Sequence, residues 1–168
     1  MSCNEILDVV SANDEVIGQE KRSVIYEQKL HFRVINGFIC NTDKKLWIPR
    51  RHPQKKLFPM HLDASVGGHV DAGESYEEAF IRESKEELGL DPLVYTYKKI
   101  ARLTPLTHGT SAFMWVYVIY SNEVPQYNTN DFTQYYWLSV DEFFACLDNG
   151  DKAKSDLLPI LKEIKNLL

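Results

Sequence analysis

The chain has 168 residues, 44% of them hydrophobic and 26% charged, with a formal net charge of −5. That mixture belongs to an ordinary globular domain, long enough to bury a core without disulfide or metal staples. The acidic balance excludes a general nucleic-acid binder held by phosphate neutralisation, and no apolar run approaches the roughly 20 residues that span a bilayer.

The opening stretch MSCNEILDVV has no basic region followed by an apolar one, so no secretory signal is expected and the reading is cytoplasmic. Cys3, Cys40 and Cys146 form neither a disulfide framework nor a zinc pattern and read as reduced thiols. Residues 5–10 and 15–18 predict a hairpin over about 5–20, and Ser23 to Gln28 a helical turn. HFRVINGFIC (31–40) predicts a buried strand, turned by Asn41-Thr-Asp-Lys into KLWIPRR (45–51). Lys44, Lys45, Arg50, Arg51, Lys55 and Lys56 make this stretch basic, and Pro53 and Pro59 mark a long loop before Ala64.

The clearest helix is Tyr76 to Leu88: Ser75 is its N-cap, Glu78 completes a capping box, Gly89 ends it and Pro92 prevents continuation. Beyond it, 93–103 and 111–120 predict strands rich in β-branched and aromatic residues, and 135–140 a shorter one. Asp141 is expected to cap a helix over 142–149. The last helix, 157–168, places Leu157, Ile160, Leu161, Ile164 and Leu168 on one face. Strands interleaved with helices, and no repeat or linker, predict a single domain over 1–168 of layered α/β (α+β) class.

At about 100° per residue, Glu83, Glu86 and Glu87 share one face of the clearest helix, while Phe80, Ile81, Ser84 and Leu88 form a neighbouring face that can pack on a sheet. Like charges at i, i+3 and i+4 repel. A hard divalent cation reverses that penalty, because carboxylate oxygens suit Mg²⁺ or Mn²⁺. A basic arm beside an acidic helix suits an anionic substrate bridged by such cations.

The surrounding stretch carries Gly68, Glu74, Arg82-Glu83, Glu86-Glu87, Gly89 and Leu90. It resembles the Nudix box, in which Gly, five residues, Glu, seven residues, Arg-Glu, an apolar residue, any, Glu-Glu, any, Gly and an apolar residue follow in order. Ser84 is the one departure, standing where the family has an aliphatic residue. The resemblance implies an α/β/α sandwich around a mixed sheet, with the catalytic loop and helix at 68–90. It also implies a metal-dependent hydrolase that cuts a diphosphate bond in a nucleotide-linked or related small substrate. Glu83, Glu86, Glu87 and a backbone carbonyl near Gly67 or Gly68 would hold Mg²⁺ (or Mn²⁺). Glu83 or Glu86 would be the base on the helix, with Glu123 and Asp131 the candidates for a base on a later loop. Arg82 and Glu74 would brace the loop against the helix.

On the substrate side, the planar fork of Arg51 suits phosphate, with Lys55 or Lys56 as a second anion contact. Trp47, Phe58, Trp115 and Tyr117 could stack on a heterocycle, although aromatics at strand spacing are more often core. His108-Gly109 falls in a loop that could line the pocket. Upstream, Glu5, Leu7, Asp8, Asp14, Gly18 and Arg22, then Arg50-Arg51, Lys55-Lys56 and Phe58-Pro59, resemble the branch that includes isopentenyl-diphosphate isomerase. That enzyme protonates an alkene with a cysteine just before the box glycine and an acid pair in a later strand. Here Gly67 stands at the cysteine position and 111–117 has no carboxylate, while His31 and His69 lack acid partners. A ligand-binding module without activity is a further reading, disfavoured because every box glutamate is present. The sequence is compatible with a homodimer.

Overall fold

The computed structural model describes residues 5–168, so Cys3 and the start of the N-terminal stretch lie outside it. A hairpin of β1 (Ile6–Val10) and β2 (Val16–Lys21) comes first, then α1 (Arg22–Gln28). β1 buries Leu7, Asp8, Val9 and Val10, whereas every residue of β2 is exposed, as for a strand covering its neighbour at the surface. The hairpin turn is locked from outside. Asp14, at φ 65°, accepts from Arg33 Nε (2.6 Å), from the Tyr76 hydroxyl (2.9 Å) and from Arg102 Nη2 (3.1 Å).

The main sheet runs β6-β7-β3-β4-β8, with β5 (Val66–His69) paired separately to β3. Its strands are β3 (Arg33–Cys40), β4 (Leu46–Arg51), β6 (Thr96–Leu103), β7 (Phe113–Tyr120) and β8 (Phe132–Leu138). β3 and β7 are parallel in the middle and the other pairs are antiparallel, so the sheet is mixed. β4 and β5 share one edge of β3: β4 meets it only at Cys40–Leu46, and β5 takes Val34 to Gly37. That split carries the chain from β5 straight into the loop before the clearest helix.

Alternation along β3 sends Ile35 and Ile39 to one side and Val34, Phe38 and Cys40 to the other. α2 (Tyr76–Leu88) covers the first side with Ala79, Phe80 and Leu88. α4 (Val140–Asp148) and α5 (Leu157–Ile164) cover the second with Val140, Phe143, Leu157, Ile160, Leu161 and Ile164. The result is an α/β/α sandwich on a mixed sheet.

Several elements differ from the sequence reading, β8 among them, which runs Phe132–Leu138 rather than 135–140. Residues 92–94 form a 3₁₀ turn rather than strand, because the Asp91 carboxylate accepts from Leu93 N at 3.1 Å. Ser139, not Asp141, caps α4: its hydroxyl accepts from Glu142 N at 3.1 Å, and Glu142 reaches back to Ser139 N at 2.7 Å. α5 ends at Ile164, short of the expected Leu168. A one-turn α3 (Pro105–His108) precedes β7.

Candidate active site

α2 begins at the capping box expected for it, with Glu78 N to Ser75 Oγ at 3.2 Å and Ser75 N to Glu78 Oε2 at 2.8 Å, and ends at Gly89 with φ 58°. Its packing is fixed by Phe80, whose ring stacks on Tyr117 at 4.3 Å between centroids. Ser84 lies on this packing side, fully buried, with no partner for its hydroxyl.

Pinning one face sets the direction of the three glutamates. Glu87 turns towards β5, where its Oε2 accepts from Gly67 N at 3.1 Å. Glu83 lies under Gly68, and a Cβ at Gly68 would overlap its carboxylate; glycine is what lets the strand come this close. Glu86 points outward, its side chain 60% exposed. Arg82 joins loop to helix: Nε and Nη2 grip Glu74 at 2.9 and 2.8 Å, Nη2 also holds the His69 carbonyl at 3.0 Å, and Nη1 reaches Glu83 at 2.8 Å. Glu74 in turn accepts from Asp71 N at 3.0 Å, closing the loop on itself.

Burial raises the proton affinity of the inner carboxylates. Glu83 is pushed up to about 7 by burial and by its neighbours Glu86 and Glu5, against the pull of Arg82. Glu87 is pushed up to about 8 by burial, against the Gly67 N–H, with Glu83 and Asp63 adding to the rise. His69, next in β5, is held down near 3 by burial and by the charges of Arg22, Lys154 and Arg82, so the ring is neutral. Its Nε2 lies 3.1 Å from the Tyr26 hydroxyl, and its Nδ1 lies 4.0 Å from Glu5.

Among the described residues no three His, Cys, Asp or Glu side chains are gathered closely enough to hold a metal ion. Arg82 occupies Glu83 and Glu86 faces solvent, which accounts for this. The donor chemistry nevertheless fits a hard divalent ion: three carboxylates within two turns of one helix, two of them half-buried and pushed towards protonation, beside a glycine backbone.

The other residues singled out from the sequence lie apart. Arg51 turns its guanidinium inward, Nη1 to Asp63 at 2.7 Å and Nε and Nη2 to the Leu57 carbonyl at 3.2 and 3.1 Å. Arg50 is held by Asp151 at 2.8 and 3.0 Å. Lys55 pairs with Asp131, and Lys56 is exposed on the loop. Glu123 accepts from the Tyr95 hydroxyl at 3.3 Å. Trp47 and Tyr117 are fully buried core; Phe58 is exposed; Trp115 lies under the Lys99 ammonium at 3.9 Å. His108 folds back on its own turn, accepting from Thr104 N at 3.0 Å, and His31 packs edge-on to Phe113. Sequence reasoning passed over Tyr26 and Lys154, which the fold brings to His69 and to Asp63. Neither carries a local motif.

A fold with this helix, loop and mixed sheet defines a class, and the comparisons agree. The NUDIX domain family model matches residues 30–160. An uncharacterized Nudix hydrolase from Nostoc sp. (strain PCC 7120) is 50% identical over 159 residues, 94% of each chain. A Nudix hydrolase of Deinococcus radiodurans is 41% identical over 159 residues, 95% of this chain and 93% of that one. A crystal structure from D. radiodurans superposes with a TM-score of 0.87 at 41% identity, covering 95% of this chain and 98% of that chain. The chain belongs to the Nudix family, and it is a hydrolase of that family. No helix among the described residues is long and apolar enough to cross a membrane.

Proposed function

We propose that the protein hydrolyses a diphosphate bond in a nucleotide-linked or related small substrate, with Mg²⁺ or Mn²⁺ held by Glu83, Glu86, Glu87 and the backbone at Gly68. The observation that carries this is the pair of half-buried carboxylates, Glu83 and Glu87, aimed from one helix face at the glycine strand. A divalent ion there would neutralise substrate charge and acidify water.

The chain supplies the rest. Arg82, gripping Glu74 and the His69 carbonyl, keeps the loop at fixed height over the helix, which is what in-line attack on phosphorus requires. Glu83, under Gly68 and held by Arg82, is read as the base that accepts the proton lost by the attacking water, with Glu86 as the other candidate on the helix. Arg51, closed onto Asp63 and Leu57, is read as the anchor of the 52–61 loop, with Lys55 and Lys56 as its basic rim.

An isomerase reading lacks its acid. Gly67 sits where the cysteine would be, against Asn36 Oδ1, and β7 carries no carboxylate. Isopentenyl diphosphate incubated in heavy water should therefore show no deuterium in an allylic product by proton NMR, and deuterium entering at a catalytic rate would overturn the hydrolase assignment. The substrate test is a panel of nucleoside di- and triphosphates, dinucleotides, nucleotide sugars and thiamine diphosphates, assayed with Mg²⁺ and with chelator. Turnover of at least one compound, lost with chelator, is the expected result; no turnover of any would count against it.

A further inference from the structure

We propose that Lys154 is the cation that receives a phosphate of the substrate, reaching in from the segment between α4 and α5. This rests on the diphosphate-hydrolase reading and adds to it a residue that no local sequence signal marks.

The stem of Lys154 is fixed while its head is not. Residues 152–154 run beside Leu62 as a short parallel bridge: Leu62 N donates to the Lys152 carbonyl at 2.8 Å and Lys154 N to the Leu62 carbonyl at 2.9 Å. Leu157 N donates to the Lys154 carbonyl at 3.0 Å, so both sides of the residue are tied. Leu62 itself is fully buried. The side chain runs from this anchor to Asp63, where Nζ stands 3.6 Å from Oδ1, an ion pair too long for a good hydrogen bond. Asp63 leads by two residues into β5, whose Gly67 N–H holds Glu87. Lys154 is thereby tied, through Asp63, to the segment that leads into β5, and its charge is felt both at Glu87 and at His69.

The surrounding cations are committed. Arg51 closes on Asp63 and Leu57; Arg82 on Glu74, Glu83 and His69; Arg22 pairs with Glu5 at 2.9 Å; Lys55 pairs with Asp131. Lys154 can leave Asp63 without orphaning it. Asp63 keeps Arg51 at 2.7 Å on one oxygen and Ala64 N at 2.8 Å on the other. An ammonium on a flexible four-carbon stem, 31% exposed, can swing to an anion where the forked arginines cannot.

The test is calorimetric titration of inorganic diphosphate, in Mg²⁺, into the wild-type protein, Lys154→Gln, Lys154→Arg and Glu87→Gln, with thermal melts of each. Lys154→Gln should weaken binding by roughly tenfold, as expected for loss of one charge-assisted contact, with an unchanged melting temperature. Lys154→Arg should bind within a few-fold of wild type. Lys154→Gln binding as tightly as wild type, while Glu87→Gln binds poorly, overturns the assignment of Lys154 and leaves the hydrolase reading standing. No binding to the wild type overturns both. A fall in melting temperature for Lys154→Gln with unchanged diphosphate affinity makes the residue structural and also overturns the proposal.

Discussion

Glu83 and Glu87 pose the central problem at the scale of single residues, since each is half-buried and pushed towards the protonated form while its task requires it ionised. Their folded-state proton affinities, about 7 and about 8, lie above the usual carboxylate range near 4.3. The folded state without metal therefore binds more protons than the unfolded chain, and its stability falls as pH rises from about 4 to about 8. A divalent ion favours the ionised form and offsets that loss. Its stabilising effect should thus be larger at pH 8.5 than at pH 6, measured as the rise in melting temperature on adding Mg²⁺. An equal rise at both values would remove these two groups from the linkage. Replacing Glu86 or Glu87 by Gln should lower kcat by roughly 10² or more with the fold intact, as when a charge-stabilising group is lost; near-native turnover in both variants would rule the helix face out. Arg82→Ala should lower melting temperature and activity together, because Glu74 is left half-buried without its cation. A raised Michaelis constant at unchanged melting temperature would make Arg82 a substrate ligand instead.

At the scale of elements, α2 was legible almost entirely. Its cap, its end and its two faces follow from local rules, and Tyr76 to Leu88 is the span that the Ser75 and Gly89 signals predict. Ser84 is its one internal conflict, a hydroxyl buried without a partner. Ser84→Ala should therefore stabilise the fold, by ~1 kcal/mol, since the orphaned group is removed at little change in volume; a loss of stability by denaturant titration would show that the hydroxyl has a partner. The hairpin depends on long-range contacts. Asp14→Asn keeps a side chain tolerant of positive φ but removes the charge that Arg33 and Arg102 share. It should lower stability by roughly 3 kcal/mol without altering the Michaelis constant, which thermal melts and steady-state kinetics would check.

For the whole molecule, a layered α/β (α+β) domain was readable because apolar alternation and helix signals agree along most of the chain, while the α/β/α order came from the resemblance to the Nudix box. What could not be read was which polar residues meet. Arg51 carries the signature of a phosphate ligand, yet a bulge between Arg50 and Arg51 and the facing carboxylate of Asp63 draw its fork inward. Lys154 carries no signature and is delivered by a bridge to Leu62 from a remote part of the chain. Local pattern specifies elements; partner choice across the sheet is set by register and loop path, which no short motif encodes.

Hydrolysis at phosphorus that needs both a divalent ion and the α2 glutamates is the central claim. The most direct measurement is ³¹P NMR of a turned-over diphosphate compound in ¹⁸O-enriched water, with wild-type protein and with Glu87→Gln. An isotope-shifted phosphate resonance is expected with wild type and Mg²⁺, absent with chelator and weakened by roughly 10² in the variant. An unlabelled product, or labelled release at the same rate in the variant or in chelator, would contradict it.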